Sequence, residues 1–501
     1  MVSRLCLLLF ALFFSTPAQA TAWLRGESEQ FVVHARIEEA ELRALIQDME
    51  DFARALEYIL PGETKPERKL EFYLTSERWR LARVIDFDLV AVCEDQADNT
   101  IGYAWRPNPP RSLGNGSIYY CIAQHHLNNA FFRPMPDWVQ QGVPQFFSTA
   151  VREKDGAFVF GMPDPYRPLR GKVDAKAIAL VVTAEADDAT IEQYRRWFTL
   201  SRVIANPFLI DPARAGVLDR YIAAYASGRS LPDIAVMLGD IEALARQIDR
   251  GRDPKRATLR RVALQPGRSA VINVTALGPD EVALFDLRLA RIFDEARSEA
   301  AVELAALTGA YPGSVAVWYE YAAVEYARVL HDDAGKKPVL RGFGFSTDDI
   351  IVTGRRHLDT EAWRAVNRAL ELDPDHAPAL LLRAEIMLNR LVRAEEEPAA
   401  EEWEEVRAAL DPLAADPRAN PLAAALFYQS WIEQGLPAPD TAVDQLGQAF
   451  DANAGVADIR YAYAVALIRS GEADKARMLL RSMLNHHQFA ESAIRALQEA
   501  P

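Results

Sequence analysis

Cys121 and His125 are the residues whose types and spacing come closest to a reactive centre in this chain. They lie in the stretch SIYYCIAQHH, Ser117 to His126, with His126 directly after His125. Residues four apart on a helix share a face, so a Cys121 thiolate and a His125 imidazole can reach one metal ion. The same pair can serve as nucleophile and base, although no third residue that would orient the base is evident. Neighbouring side chains on a helix point about 100° apart, so His125 and His126 do not readily share an ion. The structural alternative is that Cys121 is bridged to Cys93 or simply buried, with His125 and His126 filling a polar part of the helix.

The compartment bears on that choice. Arg4 precedes a ten-residue apolar run, Leu5 to Phe14, then a break at Ser15-Thr16-Pro17 and the small-x-small sequence Ala18-Gln19-Ala20. This is the pattern of a secretory signal over residues 1–20, with Ala20-Thr21-Ala22 as a second cleavage frame. No later run approaches the ~20 apolar residues of a membrane span. An exported protein, periplasmic or secreted, is expected. The chain contains three cysteines. Removing the leader with Cys6 leaves Cys93 and Cys121, which an oxidising compartment favours as a disulfide.

Composition narrows the class. The 501 residues are enough for about three domains. At 50% hydrophobic and 25% charged, the chain is neither largely disordered nor a multi-span membrane protein. Its net charge of −15, with no Lys/Arg cluster to offset it, argues against nucleic acid as a partner.

The elements that must position these residues follow from periodicity. Phe31 to Val33 and Leu70 to Leu74 read as strands, and Glu38 to Leu60 as a long amphipathic helix stopped by Pro61-Gly62. Ser117 to Cys121 reads as an apolar strand, Trp138 to Ala150 as a helix containing Pro144, and Ala157 to Phe160 as a short strand. Residues 21–165 thus form an α+β domain. Residues 166–282 turn helical over Ala175–Thr183, Ile191–Asn206 and Gly216–Tyr225, with Asp240 capping another helix. Two strands around Gln265-Pro266-Gly267 suggest a hairpin within 257–277.

Residues 283–501 are helical and repetitive. Ala442 and Ala476 are 34 residues apart, each followed by a leucine four residues on, and Gly471 precedes Ala476 by five. Ala362, Ala369 and Pro374, then Ala384, repeat the spacing, as do Ala300, Leu304 and Pro312, then Trp318 and Ala322. This resembles the tetratricopeptide repeat (TPR), an α-solenoid whose groove takes a protein or peptide. Residues 331–359, glycine-rich and more basic, read as an insertion.

The stretch from Ser117 to Gly161 resembles the peptidase-MA-like gluzincin domains with C-terminal TPR repeats. Pro136-Asp137-Trp138, Gly142, Phe146-Phe147 and Gly161 stand where that family has its second helix and following strand. The resemblance implies a zincin-like α+β domain, then an all-α region and a TPR-like α-solenoid. In that family His-Glu-x-x-His binds zinc and activates water, and a Glu on the second helix is the third ligand. Here Cys121 occupies the first ligand position, Ile122 the general base, His125 the second ligand and Gln141 the third. Isoleucine carries no proton, and an amide oxygen is a poor zinc ligand beside a carboxylate. The expectation is an exported, non-catalytic, gluzincin-like protein with no metal or other cofactor, binding a protein or peptide. The alternative is a hydrolase with a non-standard metal or thiol centre at Cys121 and His125.

Overall fold

The computed structural model describes residues 22–499 except 62–68, 78–90, 96–99, 107–114, 131–134, 165–167, 170, 184–190, 254, 266–268, 291–293, 334–359, 393, 395, 454–455, 482 and 484–489. The expected leader (1–20), most of the expected insertion (334–359) and the Pro266-Gly267 turn lie outside the described residues.

Along the first half the order is β1 (Leu24–Glu27), β2 (Phe31–Ala35), α1 (Glu39–Glu57), β3 (Leu70–Thr75), β4 (Ala91–Asp95), β5 (Thr100–Trp105), α2 (Gly116–Ala130), α3 (Asp137–Phe147), β6 (Val151–Arg152), β7 (Phe158–Phe160), α4 (Ala175–Thr183), α5 (Ile191–Ile210), α6 (Val217–Ala226), α7 (Leu231–Ala235), α8 (Ile241–Gly251), β8 (Arg260–Val262) and β9 (Asn273–Ala276). A six-stranded mixed sheet runs β4-β5-β3-β2-β1-β9. Its β2, β3 and β5 are parallel, while β4, β1 and β9 are antiparallel to their neighbours.

Alternation decides which face does what. Phe31, Val33, Ala35, Leu70, Phe72 and Leu74 join the main core with the α1 stripe Leu42, Leu45, Ile46, Met49, Phe52 and Leu56. His34, Glu71, Tyr73, Ile101 and Tyr103 alternate with them and belong to the opposite face.

Ser117 to Cys121 is helix, not strand. Ile118, Tyr119, Cys121, Ile122, Ala123, His125, His126 and Leu127 of α2 are all buried. A helix enclosed nearly all round loses its amphipathic signature and leaves an apolar run that mimics a strand. The expected hairpin within 257–277 does not form either. β8 pairs with β7 in a three-stranded antiparallel sheet, whereas β9 joins β1 at the edge of the large sheet. Nor does a new core begin after residue 165, because Ile178, Leu200, Ile204, Tyr221, Ile222 and Leu244 share the core of α1 to α3.

The second half comprises α9 (Pro279–Leu284), α10 (Leu287–Ala290), α11 (Asp294–Ala310), α12 (Val315–Asp333), α13 (Thr360–Leu372), α14 (Ala377–Val392), α15 (Ala400–Ala414), α16 (Pro421–Glu433), α17 (Asp440–Ala452), α18 (Ala457–Arg469), α19 (Ala473–Arg481) and α20 (Ala490–Glu499). The start of the expected insertion, 331–333, continues α12. Ala322, Ala362, Ala369, Ala384, Ala442 and Ala476 are buried to 2% exposure or less, as close helix–helix approach requires. Trp318 closes the corner before its helix, its Nε1–H donating to the Pro312 carbonyl at 3.0 Å. Pro374 follows α13, and Gly471 takes φ +82° between α18 and α19. No helix among the described residues is long and apolar enough to cross a membrane.

Candidate functional site

The helix pair α2 and α3 gathers the residues in question. Cys121 lies on α2 with no exposed surface and is disulfide-bonded to Cys93 on the edge strand β4, with Cα atoms 5.4 Å apart. Its sulfur therefore has no thiolate to offer an ion or a carbonyl. Ile122 is 3% exposed and belongs to the core. His125, one turn beyond Cys121, is buried. His126 points elsewhere, its Nε2 donating to the Leu60 carbonyl oxygen at 2.9 Å.

Gln141 faces α2 from α3, and its Oε1 accepts the Tyr120 hydroxyl at 3.1 Å. One turn later Gln145 Nε2 donates to the Gln141 carbonyl and to the Phe198 carbonyl of α5, both at 2.9 Å. The two amides thus cross-link helices where carboxylates would be needed for acid–base work. Among the described residues, no three of His, Cys, Asp and Glu converge on a point that could hold a metal ion.

The framework around these positions is tightly specified. Trp138 is fully buried, its Nε1–H donating to the Tyr221 hydroxyl at 3.1 Å, which in turn donates to the Val182 carbonyl at 3.1 Å. Gly142 is where α3 meets α5: a Cβ there would lie 2.4 Å from the Ser201 carbonyl oxygen. Only glycine fits that approach.

Beside the pair lies a buried polar cluster that sequence reading missed. Asp48 and Asp51, both on α1, are buried. Arg152 donates to both, and the Tyr119 hydroxyl and Asn115 Nδ2 donate to Asp48. Burial and the neighbouring Asp48 carboxylate push the Tyr119 hydroxyl well above the ordinary tyrosine range. Burial pulls on the Arg152 guanidinium, but Asp48 and Asp51 outweigh it and hold its pKa up. The cluster ties α1, α2 and β6 together with its charges satisfied. Its one sequence signal was two aspartates three residues apart inside the apolar stripe of α1.

The tetratricopeptide repeat family matches residues 433–500, which takes in α17 to α20. No curated protein and no solved structure matches the chain. The C-terminal helices are therefore of TPR type, a repeat that implies protein partners.

Proposed function

We propose that this is an exported, non-catalytic, gluzincin-like protein whose TPR array binds a protein or peptide in the cell envelope. The observation that carries the reading is the Cys93–Cys121 disulfide. It occupies the position where the family resemblance calls for the first zinc ligand, beside Ile122 and Gln141 at the base and third-ligand positions. A sulfur bonded to sulfur neither coordinates an ion nor attacks a carbonyl, so the same bond counts against the alternative hydrolase. The TPR match over residues 433–500 supports the binding role. The signal pattern in residues 1–20 supports export, and a persistent disulfide suits an oxidising compartment.

Metal analysis of the purified mature chain tests this directly. After incubation with zinc and desalting, mass spectrometry is expected to find far less than one ion per chain, unchanged by His125→Ala. Full zinc occupancy abolished by His125→Ala would reverse the reading in favour of a metallohydrolase. Peptide mapping without reductant is expected to recover residues 93 and 121 in one linked species.

A further inference from the structure

The second face of the large sheet is covered by the start of the helical array, in a contact that is part apolar and part polar. In its apolar part Phe285 and Leu289 pack with Tyr73, Ile101, Tyr103 and the partly buried Trp23 and Trp105. Trp23 and Phe285 have ring centroids 4.2 Å apart. Through this contact runs a chain of hydrogen bonds. His34 Nε2 lies 2.7 Å from Glu71 Oε1, which also accepts the Tyr73 hydroxyl at 2.9 Å. Arg288 Nη1 donates to the Tyr73 hydroxyl at 3.1 Å, and Arg288 Nε to Glu320 Oε1 of α12 at 3.2 Å. Nearby, the Tyr103 hydroxyl donates to Asp286 Oδ1 at 2.8 Å. The Arg288 and Glu320 side chains are only 16% and 8% exposed.

We infer that the chain Glu71–Tyr73–Arg288–Glu320 is a charge latch that decides whether the helical array stays docked on the sheet. Glu71 and Tyr73 share β3 and Arg288 and Glu320 share the array, so those pairs persist whether or not the array is docked. The bonds from Arg288 to Tyr73 and from Tyr103 to Asp286 cross the contact. In the docked state Arg288 and Glu320 are largely out of water, so removing either leaves the other buried without its partner. An uncompensated buried guanidinium or carboxylate costs about 3–5 kcal/mol, which offsets much of what the apolar contact contributes. The array would remain attached, because β9 is paired into the sheet and leads directly into α9. Failure of the latch therefore loosens the array without detaching it, the ordinary behaviour of units joined by a modest interface.

The test compares the full mature chain with its Arg288→Met and Glu320→Gln variants by small-angle X-ray scattering and calorimetry. The unaltered chain is expected to scatter as one compact body. Arg288→Met should raise the radius of gyration by a tenth or more and add a separate low-temperature transition. Glu320→Gln should move both readouts the same way by less, and decides the matter if Arg288→Met does not fold. Both variants retaining the parental radius and transition profile would overturn the latch.

Discussion

At the scale of single residues, Gly142 and Trp138 fix the packing of α3, and Glu71 on the opposite face of the sheet carries a pH signature. Gly142 allows α3 to touch the α5 backbone, so Gly142→Ala must push the helices apart. The expected loss is about 1–3 kcal/mol of stability, read from urea unfolding. Trp138 and Tyr221 donate in sequence to the Val182 carbonyl. Trp138→Phe leaves the pocket underfilled and removes a donor to the Tyr221 hydroxyl, at a cost of about 1–2 kcal/mol by the same measurement. Glu71 supplies a pH signature. Burial opposes its charge, but His34 and Arg288 prevail and hold its carboxyl down to about 2. Its contribution is complete above about pH 4.5, where folded and unfolded chains are both ionised. As the pH falls below that, the unfolded chain takes up the proton first, and the contribution is gone once the pH passes about 2. With partial exposure of the side chain allowed for, the loss is about 1–2 kcal/mol. Glu71→Gln should flatten the stability–pH curve by that much in this window and leave its neutral limb parallel to the parent.

At the scale of elements, the disulfide is the dominant local constraint. It closes a loop of 28 residues between the edge strand β4 and the buried helix α2. Cross-linking a loop of that size is worth about 3–4 kcal/mol through the unfolded state. Replacing both cysteines by serine should lower stability by that amount in chemical unfolding, with β4 the first strand to lose amide protection in hydrogen exchange. In the repeat region the alanines set helix spacing. Ala442→Leu forces a larger side chain into a fully buried site and should cost about 1–3 kcal/mol. Hydrogen exchange should place that loss in α16 to α20 rather than in the sheet.

At the scale of the whole molecule, one core reaches from β2 to β8. A fragment ending at residue 165 would expose the faces that meet α4 to α8, so residues 21–165 alone should fail to give a cooperative unfolding transition by circular dichroism. The array is a different matter. Burying Phe285 and Leu289 is worth about 3–6 kcal/mol together, and covering Tyr73, Ile101 and Tyr103 on the sheet adds to it. Stranding a buried charge costs about 3–5 kcal/mol, a large enough share of that gain for charge pairing to influence docking. The net charge of −15 belongs to the surface and solubility and says nothing of this contact.

Periodicity and apolar runs along the chain were enough to locate α1, β2, β3, α3 to α6, the Asp240 cap and the alanine spacing of the repeats, because the helices bury one stripe each and β2 and β3 are short apolar segments bounded by breaks. The question about chemistry at residues 121, 122 and 141 came from the resemblance to gluzincin domains, and there side-chain type alone decides whether a group can carry a proton or bind zinc. Tertiary structure decided the rest. A helix enclosed on all sides keeps no periodic signal, so 117–130 declared itself only when packed. β4 and β5 are no shorter than β2 and β3, but β4 carries Glu94 and Asp95 and β5 Gly102, so their place in the sheet follows from its pairing rather than from their own residues. The partners of Asp48, Glu71 and Arg288 lie as far as 215 residues away in the chain. Whether a charge is paired is a property of the folded neighbourhood, and no local pattern encodes it.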